Sequence, residues 1–253
     1  MLTASCVTPW IVTPRPVNSG VRMFCFPYAG GGASVFRSWA ESEFLKDVEV
    51  CAVQLPGREA RIAEAPVDDL PRLTSLLCDA LEPWLDRPFV LFGHSVGALV
   101  SFELARELRR RGGIEPRHLF VSGCPAPHLR DSERISDLSD NDFLDRLYRF
   151  NGTPPDVLHH PELMQLMLPA LRADFALRDR YVYREESPLS CSITAFGGMS
   201  DQHVSGVDLR AWRRHARERF QFWLFQGDHF FLRSAQEPML ETLCSKLATQ
   251  GIV

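Results

Sequence analysis

Short apolar runs bounded by turn residues recur along the chain at 21–26, 48–55, 89–92, 119–122, 192–196 and 220–225. Each is mostly β-branched or aromatic, which predicts buried strands. Between several of them lie stretches with helical spacing, at 36–45, 70–85, 98–108 and 235–247. Strand and helix in alternation predict an α/β chain with a mostly parallel central sheet covered by helices on both faces. The alternation breaks at about 131–186, where no strand-like run occurs. Two amphipathic segments stand there instead. One follows Ser139, a plausible N-cap, and places Phe143, Leu144 and Leu147 on one face; the other groups Leu163, Leu166, Met167 and Leu171 between Pro161 and Asp174. A helical insertion of this length predicts a lid over the carboxyl edge of the sheet, against the plainer reading of a helical decoration with no gating role.

Composition narrows this picture. At 253 residues and 45% hydrophobic content the chain can bury one large core, so a single domain over 1–253 is expected. A net charge of -4 argues against nucleic acid or a polybasic membrane surface as the main partner. The seven cysteines are scattered through apolar runs without a CxxC pair, which predicts reduced core thiols and neither a zinc site nor a disulfide scaffold. The first twenty residues have no basic start and no continuous apolar stretch, so no ordinary secretory signal is expected. No uncharged apolar run is long enough to predict a membrane span, and a cytoplasmic compartment is favoured.

The sharpest chemical feature is Gly93-His94-Ser95-Val96-Gly97, placed between a predicted strand and a predicted helix. That context makes it a nucleophile elbow: a tight turn strains the serine backbone, and the flanking glycines let neighbouring elements approach. Serine needs a base within hydrogen-bond reach, and in such folds the base arrives late in the chain. His229, in Gly227-Asp228-His229-Phe230-Phe231 after the last predicted strand, fits; His94, His118, His128, His159, His160 and His215 fit less well. The order Ser, Asp, His points to Asp201 as the group that orients the imidazole, with Asp174, Asp208 and Asp228 as competitors and His203 as a rival imidazole. An oxyanion needs two N–H donors. Val96 supplies one, and the Gly cluster in Pro27-Tyr28-Ala29-Gly30-Gly31-Gly32 is placed for the second; it lacks the ending of a phosphate loop and the spacing of a dinucleotide fingerprint.

Taken together, these motifs resemble the type II thioesterases that accompany polyketide synthases and nonribosomal peptide synthetases, and the related medium-chain acyl carrier protein thioesterases. The resemblance covers nearly the whole chain. Its further marks are Gln54-Leu55-Pro56-Gly57-Arg58-Glu59, Asn151-Gly152-Thr153-Pro154 and Leu171-Arg172-Ala173-Asp174-Phe175. It implies an α/β-hydrolase fold with a helical lid, Ser95, Asp201 and His229 as triad, and the Ala29 and Val96 N–H groups as oxyanion hole. It also implies hydrolysis of acyl thioesters on the phosphopantetheine arm of acyl or peptidyl carrier proteins, without metal or organic cofactor. Tyr28 stands where many relatives have His, and Val96 where many have Met or Leu.

An acidic carrier protein would suit a basic face, and two arginine runs qualify: Arg106, Arg109, Arg110, Arg111, and Arg210, Arg213, Arg214, Arg217, Arg219. The plainer reading is a solvated charged face. The triad alone does not separate a thioesterase from a carboxylesterase or lipase, and a hydrolase-fold binding protein without catalysis is the rival from another class.

Overall fold

The computed structural model describes residues 8–17, 20–129, 134–150 and 160–253. All six predicted strands are present: β2 (Val21–Phe26), β3 (Val48–Val53), β4 (Phe89–His94), β5 (His118–Ser122), β6 (Ser192–Gly198) and β7 (Phe220–Phe225). A short edge strand, β1 (Ile11–Val12), pairs antiparallel with β3; the other pairs are parallel, in the order β1-β3-β2-β4-β5-β6-β7. β1 was not predicted, because two residues are too few to show a period.

Alternation along each strand divides the core in two. Phe24, Leu91, Leu119, Val121 and Ile193 face helices α1 (Leu70–Leu81) and α2 (Val96–Gly112), whereas Met23, Val50, Phe92, Phe120 and Phe196 face the closing helix. Asp69 caps α1 by accepting from the Arg72 N–H at 2.8 Å, and Gly113, at φ 69°, ends α2. β7 departs from the prediction of a buried strand. It is an edge, with Phe220, Phe222 and Trp223 half-buried and Leu224 exposed, and the Lys246 ammonium lies over the Trp223 ring.

Two helices are shorter than their spacing suggests. The segment 36–45 is no single helix: 3-10 turns at Ala33–Phe36 and Glu43–Leu45 flank one α-turn at Arg37–Ala40, and Ser42 starts the last by accepting from the Phe44 N–H. Phe36, Trp39, Ala40 and Leu45 are all buried, so a broken path satisfies the same apolar spacing. α1 stops at Leu81 and tightens into a 3-10 turn at Glu82–Trp84, where Pro83 has no N–H to continue the ladder.

Between β5 and β6 stand α3 (Asp140–Phe150) and α4 (Pro161–Asp179). Ser139 does cap α3, accepting from the Asp142 N–H at 3.3 Å. Phe143 and Leu147 join Ile135, Met164, Leu171 and Phe175 in a third apolar cluster. Leu163 and Leu166 do not join it; they are exposed, because the buried stripe of α4 runs through 164, 168, 171 and 175. The Asn151–Pro154 mark and His159 lie outside the described residues. α5 (Gln236–Thr249) closes the chain. The described cysteines Cys25, Cys51, Cys78, Cys124, Cys191 and Cys244 are free thiols, all but Cys244 buried. Among the described residues no helix is long and apolar enough to cross a membrane.

Leu243 on α5 is fully buried against this second face. Leu243→Ala is expected to cost about 2–5 kcal/mol, read as a lower urea midpoint with an unchanged denaturant slope.

Candidate active site

β4 runs into α2 through one residue. Ser95 has φ 55° and ψ -119°, outside the ordinary range for a residue with a Cβ, and its N–H donates to the Ser122 carbonyl at 2.7 Å. The glycines on either side show why this turn is possible. A Cβ at Gly93 would lie 2.1 Å from the Gly97 carbonyl oxygen, and one at Gly97 would lie 2.3 Å from the Phe26 oxygen and 2.5 Å from the Pro27 oxygen. The exit of β2 and the start of α2 are thus pressed backbone to backbone. Val96 is the first residue of α2, so its N–H has no intrahelical acceptor. Ala29 sits in the turn beyond Pro27, packed between the central core and the α3–α4 cluster.

The carboxyl ends of β6 and β7 are zipped together by Met199 N–H to Phe225 O at 2.8 Å and Ser200 N–H to Gly227 O at 2.9 Å. This brings Asp201 to His229. The His229 Nδ1 and Asp201 Oδ2 atoms are 2.8 Å apart, and Oδ1 accepts from the His203 N–H at 2.8 Å and the Val204 N–H at 3.2 Å. The carboxylate is wholly buried. Burial pushes its pKa up, but the bond and charge of His229 and the backbone N–H and charge of His203 outweigh this and hold it below the ordinary aspartate value. His203 meets Asp201 through its backbone, so the imidazole that Asp201 orients is that of His229.

Each competing carboxylate is engaged elsewhere. Asp208 closes a capping box with Ser205, and Asp228 accepts from the Phe230 N–H at 2.8 Å. Asp174, on α4, forms a two-pronged buried pair with Arg58 at 2.5 and 3.0 Å and accepts from the Gly30 N–H at 2.8 Å. Sequence reasoning did not pair these two, since 116 residues separate them and neither has a local signal.

The remaining histidines divide by burial. His94 is fully buried with Nδ1 2.8 Å from Ser122 Oγ, and burial beside His229 keeps its pKa well below the ordinary value. His118 bridges Gln250 and Thr194, pushed down to about 4 by burial; His215, against His128, is pushed down to about 3 by burial and that neighbour. Gly123 joins the elbow to the base: a Cβ there would be 2.8 Å from His94 Cε1 and 3.3 Å from His229 Cε1. The His94 and His229 rings, 5.2 Å apart between centroids, thus meet around the ends of β4 and β5, with Ser95 next to His94 in the chain, and no direct hydrogen bond joins the Ser95 and His229 side chains among the described residues. Beside them the Arg233 guanidinium lies over Tyr28 and Phe230 and donates to the Tyr28 hydroxyl.

The arginine run at the end of α2 is not a free basic face. Arg106, Arg109 and Arg110 converge on Glu186, with Glu103 and Glu107 adding to the network, and Arg111 pairs with Asp79 and Glu107. In the second run Arg214 pairs with Glu185, Arg213 donates to the Ala216 carbonyl and Arg210 lies over Phe222.

The chain is similar to known proteins over nearly its whole length. A family model described as a thioesterase domain matches residues 21–250. The gramicidin S biosynthesis protein GrsT of Aneurinibacillus migulanus is 43% identical over 250 residues, 98% of this chain and 97% of its own length. The thioesterase PikA5 of Streptomyces venezuelae is 39% identical over 225 residues, 88% of this chain and 80% of its own. Among solved structures, the type II thioesterase BorB from the borrelidin biosynthetic cluster superposes with a TM-score of 0.85 at 36% identity, covering 94% of this chain and 97% of that one.

The lowered Asp201 pKa has a signed consequence. A depressed carboxylate contributes stability that is fully present above the unfolded value of about 3.9 and is lost as pH falls through the folded value. The stability gap between wild type and Asp201→Asn is therefore expected to be widest near neutral pH and to shrink below about pH 4. Chemical denaturation across a pH series reads this directly; a gap that stays constant into acid would contradict the Asp201–His229 pairing.

Proposed function

The chain belongs to the thioesterase family and is a thioester hydrolase of the α/β-hydrolase fold, and from that premise we propose its substrate, partner and catalytic groups. The substrate is an acyl group on the phosphopantetheine arm of an acyl or peptidyl carrier protein in polyketide or nonribosomal peptide biosynthesis, and the reaction edits or releases that chain. Ser95 is the nucleophile, His229 the general base, Asp201 its orienting carboxylate, and the Ala29 and Val96 N–H groups the oxyanion hole. The observation that carries this reading is the His229–Asp201 bond of 2.8 Å, with both carboxylate oxygens occupied, set beside a serine held at positive φ.

The chemistry follows from those contacts. With Nδ1 bonded to Asp201, the nitrogen left to serve the serine is Nε2. It takes the Ser95 proton as Oγ attacks the thioester carbonyl, and the two backbone donors hold the resulting oxyanion. Collapse expels the pantetheine sulfur, which takes the proton from the imidazolium and leaves as a thiol. Water, deprotonated by the same imidazole, then attacks the acyl-serine; the acid departs and Ser95 recovers its proton. Every step moves a proton or an acyl group among these groups and water, so none calls for a metal or organic cofactor.

Residues 131–186 act as the lid in this reading. Support comes from Leu171 on α4, which packs so closely on Gly30 that a Cβ there would be 2.6 Å from its Cδ2. The carrier-protein partner is supported by the similar proteins, named for gramicidin S biosynthesis and for the borrelidin cluster.

Two measurements test the proposal. Ser95→Ala is expected to abolish hydrolysis of acylated carrier proteins while moving the unfolding temperature little, and Asp201→Asn to lower kcat on the order of 10⁴-fold. Carrier-borne acyl thioesters are expected to turn over faster than p-nitrophenyl esters. Retained turnover in Ser95→Ala would refute the triad, and preference for the oxygen ester would move the chain to the carboxylesterases.

A further inference from the structure

Two sequence motifs take no part in the chemistry above: Gln54–Glu59, after β3, and Leu171–Asp174, on α4. The structure brings both onto one short stretch of backbone. Gly30 N–H donates to Asp174 Oδ2 at 2.8 Å, Gly31 O accepts from Arg58 Nη1 at 3.4 Å, Ala33 N–H donates to Gln54 Oε1 at 3.0 Å, and the Ser34 N–H and hydroxyl both donate to the Glu59 carboxylate. These groups lie immediately beyond Ala29.

The anchors are themselves fixed. Arg58 and Asp174 are almost wholly buried and grip each other by two bonds, which takes up the donors and acceptors that two charges cut off from water require. Gln54 Nε2 donates to the Arg58 and Leu55 carbonyls, and Arg58 Nε to the Pro56 carbonyl. Glu59 holds φ 46°, a conformation that costs a residue with a side chain on the order of 1–3 kcal/mol and places its carboxylate against Gly32, where a Cβ would come within 2.3 Å of it.

On the reading of Ala29 as an oxyanion donor, we infer that Gln54, Arg58, Glu59 and Asp174 are positioning residues that hold the oxyanion loop in register with Ser95. Because Asp174 belongs to α4, that helix and the oxyanion hole are one mechanical unit: α4 is the fixed base on which the lid is mounted, and displacing it displaces Gly30 and with it the Ala29 N–H. Oxyanion donors act through placement, and a shift of about 1 Å remote from the chemistry can cost about 10²-fold in rate.

The test separates kcat from KM on an acyl-pantetheine thioester, with thermal unfolding in parallel. Arg58→Met combined with Asp174→Leu removes both buried charges at once, so no orphan ion remains, but it leaves the Gly30 N–H without its acceptor. The expected result is cooperative unfolding, a kcat about 10- to 100-fold below wild type and a KM within about twofold. Glu59→Gly relieves the strained φ at an exposed position while removing the Ser34 contact; it is expected to unfold no lower than wild type and still lose about threefold or more in kcat. Wild-type kcat in these variants, or a loss carried wholly by KM, overturns the inference. If the double variant does not fold, Glu59→Gly alone decides by the same criterion. Failure of the triad reading is distinguished by Ser95→Ala keeping its turnover, whereas failure of this inference leaves that variant inactive and the positioning variants fast.

Discussion

The site depends on an absence of atoms at Gly97. The first turn of α2 lies so close to the end of β2 that a Cβ at this residue would collide with the carbonyl oxygens of Phe26 and Pro27. Close packing of two backbones sets the first turn of α2, whose Val96 N–H has no intrahelical acceptor, directly against the loop after β2. Gly93 does the same work inside the elbow, giving room to the Gly97 carbonyl so that the chain can reverse around Ser95. Without these two empty positions neither the reversal of the chain at Ser95 nor the approach of α2 to the loop after β2 would fit.

The second half of the centre is assembled by a different device. Met199 and Ser200 extend the β6–β7 ladder past the ends of the strands, so the loops bearing Asp201 and His229 leave the sheet side by side. Asp201 is then filled from both sides, by the imidazole on one oxygen and by two backbone N–H groups on the other. A carboxylate so enclosed cannot turn, and the imidazole bonded to it is held in one orientation. Rigid parallel strands supply direction and backbone bonds between loops supply the last ångström, which is the division of labour that open α/β sheets offer at their carboxyl edge.

Much of this was legible in the sequence because the relevant signals are local. Six strands announced themselves as apolar runs, and the elbow as glycines around a serine between a strand and a helix. The pairing of Asp201 with His229 was anticipated from their places after β6 and β7, since chain order maps onto position along a parallel sheet. Signals that depend on a distant partner were not legible. The Arg58–Asp174 pair has no period or spacing to betray it, and Asp174 by itself read as a competitor for the triad. The arginines ending α2 looked like a basic face because the sequence could not show Glu186 folding back over them. The segment 36–45 misled for the opposite reason: buried residues at 36, 39, 40 and 45 mimic a helical stripe, and an α-turn between two 3-10 turns buries them equally well.

Strain ties the two halves of the argument together. Among the described residues Ser95 and Glu59 alone hold positive φ without being glycine, and they stand on two different turns that both touch the loop after β2. Each costs on the order of 1–3 kcal/mol and persists only where surrounding contacts leave no alternative. Ser95 is over-determined by its bond to Ser122 and by the two glycine contacts; Glu59 is held by Ser34, Gly32 and the turn that begins at Gly57, itself at φ 83°. Strain scattered through a fold would signal poor local choices. Here it is confined to the two turns that pack on the loop after β2, with Ser95 on the turn into α2 and Glu59 on the turn that bonds Ser34, so stability is given up where separate stretches of backbone are pressed together.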